Sequence, residues 1–266
     1  MNILVLMKEV PDMRKVKFDR ERGVVNRASA SAEINPFDLN ALSLAAELKE
    51  KTKGTVTVLT MGPPSAKASL RDAFARGADQ IFLMSDKKFS GADTLATSVT
   101  LAAGIQKIGP FDLILCGEKT VDGDTAQVGP EVAEALGIPH ACYADALSYF
   151  DDSCIEVIIG ELCGKGQKRK LALPALLSVT KNISVPKLPT VERKLKSLDV
   201  HVGELDFSCI SDLVTEDMVG SKGSPTKVKK IEIQQKPERT GTLYKEDFGA
   251  FFRSFAEKLE ETGIDL

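Results

Sequence analysis

The sequence predicts an α/β fold: a doubly wound, mostly parallel sheet with antiparallel additions and an extended C-terminal arm ending in a helix. Three observations carry that expectation. Short apolar runs alternate with amphipathic, glycine-terminated segments through residues 1–137, the pattern of βα units laid side by side. Past Pro139 the alternation gives way to successive strand-like segments at 141–150, 155–159 and 171–179, read as antiparallel additions. The last segment, 245–261, carries Phe248, Phe251, Phe252, Phe255 and Leu259 at helical spacing.

Taken in order, residues 3–7 form a near-continuous apolar run, as in a parallel strand covered on both faces. Residues 15–19 and 23–26 flank a turn and read as a small hairpin. Asn35-Pro36 starts a helix, with Asn35 as cap and Pro36 in the first position. Leu39, Leu42, Ala46 and Leu48 give it an apolar face. Asp38 belongs to that cap or, alternatively, reaches the ligand edge of the sheet. Residues 55–60 form the second strand, and Met61-Gly62-Pro63-Pro64-Ser65 a tight exit from it. A helix over 65–76 ends at Gly77, and 81–84 form the third strand. Residues 89–98 lead into a third helix that ends near Lys107, and 113–116 form the fourth strand. In such sheets ligands bind beyond the carboxyl ends of the strands. Residues 8–11, 61–65, 89–98 and 117–129 are therefore expected to converge.

Residues 116–137 are the stretch on which function turns. Cys116-Gly117-Glu118-Lys119-Thr120-Val121-Asp122-Gly123-Asp124-Thr125-Ala126-Gln127-Val128-Gly129-Pro130 leaves a buried strand and opens a helix closed by Gly137 and Pro139. Gly117, Gly123 and Gly129 allow close backbone approach and positive φ. A helix start presents free N–H groups and a positive dipole end, which suit a phosphate. Gln127, Thr125 and Thr120 add neutral polar groups. Asp122 and Asp124 suit ribose hydroxyls or an adenine amino group, or simply cap and turn the chain. Nucleotide binding and plain turn chemistry both account for this pattern. Cys116, at a strand end, reads as a buried and inert thiol.

Composition narrows the function classes. The chain has 266 residues, 43% hydrophobic and 27% charged, with a net charge of −3. That balance argues against a nucleic-acid binder. No apolar run approaches the roughly 20 residues that cross a bilayer, so no membrane insertion is expected. The apolar N-terminal run is too short for a signal peptide. Five cysteines without a CxxC, and only two histidines, His140 and His201, point to a cytoplasmic protein without disulfides or a metal site. No nucleophile–base pair is recognisable.

Other motifs are weaker. Ser90-Gly91-Ala92-Asp93-Thr94 resembles the loop of nucleotide-splitting pyrophosphatases, but it precedes the third helix instead of following the first strand. Hydroxyls at Thr94, Thr97 and Ser98 suit phosphate or ribose, and an Asp93-capped helix explains the loop equally well. Lys165, Lys168, Arg169 and Lys170 read as a solvated hairpin face. Residues 191–196 look exposed, 220–226 read as a flexible turn, and 228–233 as a short strand. The C-terminal aromatic stripe is too apolar for a free helix and calls for its own domain or a partner.

Several of these pieces align with one family. Residues 1–11, Asn35-Pro36-Phe37-Asp38, Met61-Gly62-Pro63, residues 73–79, the 116–137 stretch, Leu173-Pro174-Ala175 and residues 220–228 together resemble the beta subunit of electron-transfer flavoproteins over nearly the whole chain. The 116–137 stretch and the Gly-Ser-Pro-Thr segment at 223–226 are the specific matches. The resemblance implies a Rossmann-like, adenine-nucleotide-binding domain over 1–183. It assigns 184–266 to partner docking and to an arm that wraps an alpha subunit carrying FAD. That alpha subunit exchanges electrons with an acyl-CoA dehydrogenase-like or other flavin dehydrogenase. Ordinary members bind AMP in the beta subunit. Electron-bifurcating members bind a second FAD there, with NADH as electron donor. The Gly-Ala-Asp-Thr and Asp-Gly-Asp-Thr-Ala-Gln-Val-Gly-Pro runs are more similar to the bifurcating type.

Carried onto matching positions, Asp38, Thr94, Thr97, Ser98, Asp122, Gly123, Asp124, Thr125, Ala126, Gln127, Val128 and Gly129 line the nucleotide, with Lys8, Met61, Cys116 and Gly117 on the same edge. One departure stands out. The family's Asn-Glu-Pro-Arg-Tyr-like docking loop is replaced by the shorter stretch at 181–189, which lacks the arginine. A stand-alone nucleotide hydrolase or sensor on this fold is the remaining reading; it predicts a protein stable without a partner.

Overall fold

The computed structural model describes residues 1–12, 15, 17–19, 24–26, 31–162, 165–227, 244–245 and 247–262. In chain order the elements are β1 (Asn2–Leu6), β2 (Glu9–Pro11), β3 (Lys17–Asp19), β4 (Val24–Asn26), β5 (Ala32–Ile34), α1 (Pro36–Thr52), β6 (Thr55–Met61), α2 (Lys67–Arg76), β7 (Gln80–Met84), α3 (Thr94–Ile108), β8 (Leu113–Gly117) and α4 (Val128–Leu136). There follow β9 (His140–Phe150), β10 (Cys154–Leu162), β11 (Lys165–Ala172), β12 (Ala175–Val179), α5 (Val191–Lys196), β13 (Gly203–Leu205), α6 (Phe207–Ile210), α7 (Gly220–Gly223) and α8 (Phe248–Glu261). The chain divides into a unit of Met1–Lys230 and a unit of Ile231–Leu266.

The first unit is built on a nine-stranded sheet in the order β11-β10-β9-β12-β8-β1-β6-β7-β13. Its apolar runs are continuous because both faces are covered. Ile3 and Val5 of β1 point to one face, with Val56, Val58, Leu113 and Leu115, beneath Leu42, Leu48, Leu70 and Ala73 of α1 and α2. Leu4 and Leu6 point to the other, with Leu59, Ile114 and Leu176, beneath Leu101, Ile105 and Val132 of α3 and α4. The doubly wound α/β class stands.

Past Pro139 the pattern differs from the expectation. β9 pairs in parallel with β12, and β12 in parallel with β8. In this sheet only β10 runs against the other strands, antiparallel to both β9 and β11. The run at 171–179 is two strands, because the Leu173-Pro174 step separates the end of the hairpin from a return into the sheet interior. Proline has no N–H for a central ladder. Residues 166–170 are exposed on the outermost strand, as the basic run implied.

Residues 191–196 are largely exposed, as expected, and form α5, capped by Thr190. The Arg193 guanidinium donates to the carbonyls of Phe74, Ala75 and Ala78, closing the C-terminus of α2. Residues 220–223 form α7 instead of a flexible turn. The expected strand at 228–233 lies outside the described residues. In the second unit, Asp247 caps α8 by accepting from the Ala250 amide. Phe251 stacks on Phe255 at 5.7 Å and meets Phe252 edge-on at 5.6 Å. This aromatic stripe stays exposed within its own unit.

Candidate functional site

The chain runs β1, β6, β7 to one side, then returns to place β8 on the other side of β1. The gap beyond the carboxyl ends of β1 and β8 is therefore the topological switch point, where doubly wound sheets bind ligands. The first turn of α1 braces it from below. Asp38 is buried, and its carboxylate accepts the Lys8 amide at 2.8 Å and the Gly117 amide at 2.9 Å. One side chain thus ties the two strand ends together. Burial pushes its pKa up to about 6, against the lowering by those two amides. Gly117 is required by this contact: a Cβ there would lie 2.6 Å from Asp38 Oδ1 and from Phe37 Cβ.

Asn35 does more than its position suggests. It precedes α1, but its side chain makes no capping bond. Instead Nδ2 donates to Lys119 O at 2.9 Å and Oδ1 accepts the Val121 amide at 3.2 Å. Lys8 Nζ reaches both carboxylate oxygens of Asp122 at 2.8 Å, and the Asp122 side chain is only 5% exposed. These contacts pin residues 117–122.

Beyond Asp122 the loop opens to solvent. Gly123, Asp124, Thr125 and Gln127 are exposed. Asp124 and Ala126 adopt left-handed φ values of 53° and 57°. A Lys119–Asp124 ion pair at 2.8 Å and the Asp124 amide on Thr120 O hold the bend. Gly129 then brings α4 against β8, since a Cβ there would stand 2.8 Å from Cys116 Sγ. Cys116 is buried, and desolvation drives its thiol pKa far upward, which fits the inert role expected of it. Among the described residues, the amides of residues 125–129 have no protein partner. Consecutive unpartnered amides at the start of a nine-residue helix match the donor set a phosphate takes. The residues present therefore fit the phosphate end of a nucleotide.

Facing this loop is the first turn of α3. Asp93 caps it by accepting the Ala96 amide at 3.1 Å. Thr94 Oγ1 lies 3.2 Å from Gln127 Oε1 and 3.3 Å from Glu131 Oε1, so the two loops meet. Buried Ser98 donates to Thr94 O at 2.8 Å and lies 2.9 Å from Glu131 Oε2. Thr97, in the same turn, is half-buried, and its amide donates to Asp93 O at 3.0 Å. Met61, at the end of β6, is partly buried against the core below α3.

The structure thus brings Lys8, Asp38, Gly117 and Asp122 into one cluster and Thr94, Ser98, Gln127 and Val128 into another. Met61 stands two strands from β8. Sequence reasoning missed the Asn35 side-chain contacts, Glu131, and the partners of Asp93 in the C-terminal segment. By position alone Asn35 is an ordinary cap. Glu131 gains its place only from the packing of α4 on α3.

A doubly wound sheet with a glycine loop and a helix start at its switch point defines an α/β protein of the nucleotide-binding class. A family model described as the electron transfer flavoprotein domain matches residues 22–203. The chain belongs to the electron transfer flavoprotein family, on the side of its beta subunits. It is 42% identical to the electron transfer flavoprotein subunit beta of Clostridium acetobutylicum, over 88% of this chain and 89% of that protein. The corresponding subunit of Megasphaera elsdenii is 39% identical over 91% of this chain and 90% of its own length. Subunit CarD of the caffeyl-CoA reductase-Etf complex of Acetobacterium woodii is 38% identical over 86% of each chain. Among the described residues, no helix is long and apolar enough to cross a membrane.

Proposed function

We propose that the chain is the beta subunit of a cytoplasmic, heterodimeric electron-transfer flavoprotein that binds FAD at the switch point. Electrons from NADH pass there to the FAD of the alpha subunit and on to a flavin dehydrogenase partner, by flavin-based electron bifurcation. The observation that carries this reading is the meeting of the 122–129 loop with the first turn of α3 across the strand ends, through Thr94 and Gln127. The bound flavin supplies the redox chemistry; the protein orients it. The amides of residues 125–129 hold its pyrophosphate. Thr94, Thr97 and Ser98 line the opposite wall, and exposed Asp124 and Thr125 receive sugar hydroxyls. Lys8, Asn35, Asp38 and Asp122 keep the loop in shape from beneath. The names of relatives support the setting: one belongs to a caffeyl-CoA reductase-Etf complex, and an acryloyl-CoA reductase electron transfer subunit of Anaerotignum propionicum is 38% identical. Val185, Leu188 and Val191 leave large apolar side chains exposed in the stretch assigned to dehydrogenase docking, and the aromatic face of α8 suits the alpha subunit.

The second reading is a non-bifurcating subunit that holds AMP. The unpartnered amides at the start of α4 favour it equally, because they suit a single phosphate. Counting cofactors in the heterodimer separates the two: two FAD, or one FAD with one AMP. Asp124→Ala and Thr97→Ala should each lower occupancy of the beta-subunit nucleotide, read by absorbance and by chromatography of the released cofactor. Full occupancy in both variants would remove these residues from the site.

A further inference from the structure

The segment at 220–226 is packed on the loop that precedes α3. Gly220 has φ 57°, and a Cβ on it would fall 1.9 Å from Lys88 O. The Ser221 amide donates to Ser90 O at 3.0 Å. The Asp93 amide donates to Ser224 Oγ at 2.8 Å. Finally, the Thr226 amide and hydroxyl both donate to Asp93 Oδ2, at 3.0 and 2.8 Å. Asp93 Oδ1 meanwhile accepts the Ala96 amide. One carboxylate therefore joins two things 133 residues apart: the first turn of α3, with Thr94, Thr97 and Ser98, and the root of the C-terminal arm.

We infer that Thr226 is a positioning residue for the nucleotide site: its hydroxyl orients the Asp93 cap, and the cap sets the first turn of α3 against the 122–129 loop. The chain's own arm root completes the wall of the site through this bond. It follows that a partner held by the arm and a nucleotide held at the strand ends are linked, each favouring the same placement of Thr226. Without the hydroxyl, Oδ2 keeps only the Thr226 amide, so the carboxylate is held less firmly and the capping bond on Oδ1 weakens with it.

This role of Thr226 rests on the proposed nucleotide site, so two measurements are taken together on the full heterodimer. In Thr226→Val, loss of a hydrogen bond to a charged group should speed release of the beta-subunit nucleotide about five- to tenfold. Thr226→Ser, which keeps the hydroxyl, should release it at the wild-type rate. Hydrogen exchange of the amides at 96–98 should be faster in Thr226→Val, while amides of β1 and β8 stay unchanged. Wild-type release and exchange in Thr226→Val would overturn the inference, as would a Thr226→Ser variant as impaired as Thr226→Val. If the wild-type heterodimer holds no beta-subunit nucleotide, the proposed function fails by itself and the exchange pattern alone decides the role of Thr226.

Discussion

Replacing Asp38 by asparagine tests the brace beneath the candidate site. The carboxylate accepts two backbone amides, from Lys8 and Gly117, in a buried position. Asparagine is nearly the same size but offers one acceptor and turns an NH2 group toward the second amide. One buried amide is then left without an acceptor, at a cost of about 1–3 kcal/mol at pH 7. The pH dependence gives a sharper test. Burial raises the Asp38 pKa from 3.8 to about 6, so between these values the folded chain binds more protons than the unfolded one. Stability contributed by the neutral form is complete below pH 3.8 and is lost as pH rises through about 6. The difference corresponds to about 3 kcal/mol, at roughly 1.4 kcal/mol per tenfold change in acidity. The substituted amide does not titrate, while every other group is common to both proteins. Melting curves of the wild type and Asp38→Asn between about pH 4 and 7.5 should therefore diverge on acidification, with the gap larger at the acid end. At about 2–4 °C per kcal/mol for a chain of this size, the added gap is on the order of 6–12 °C. A gap that is constant, or that narrows on acidification, would refute the claim that burial dominates the two amide bonds.

Two further outcomes follow from the same contacts. Lys8→Met takes the ammonium away from the nearly buried Asp122 carboxylate. It should destabilise the fold, with a coupling to Asp122→Asn of about 1–2 kcal/mol in a double-mutant cycle measured by urea unfolding. Gly117→Ala forces a Cβ against Asp38 and Phe37 and should cost about 1–3 kcal/mol of stability. In Gly123→Ala the nearest atom is Thr120 Oγ1 at 3.5 Å, so thermal unfolding should be shifted far less.

Much of the sheet was legible in order. β1, β6, β7 and β8 are apolar runs, and the helices beside them carry their own stops, as α2 does at Gly77 and α4 at Gly137. These are local constraints on φ and hydrogen bonding, so they appear in a short window of residues. The glycine stretch at 116–130 was legible for the same reason, as was Asp93 as a cap. Pairing was not. Nothing within 171–179 states that its second half returns to lie parallel to β8, because its partners, β8 and β9, flank it only in the folded sheet. The role of Asn35 was hidden for a similar reason: its partners, at Lys119 and Val121, are 84 and 86 positions away, and the same residue type serves a cap equally well.

Reading the residues in line was thus enough for the alternating α/β class, the positions of the turns, the glycine loop that ends β8, and the family to which the chain belongs. Three features emerged only from the folded arrangement. Asp38 is a buried tie between two strand ends, Glu131 closes α4 onto α3, and residues 220–226 form part of the wall around α3. The division follows the range of the interactions. Propensity, capping and backbone conformation act over a few residues, whereas a buried carboxylate finds its partners only when the sheet has brought the ends of β1 and β8 side by side.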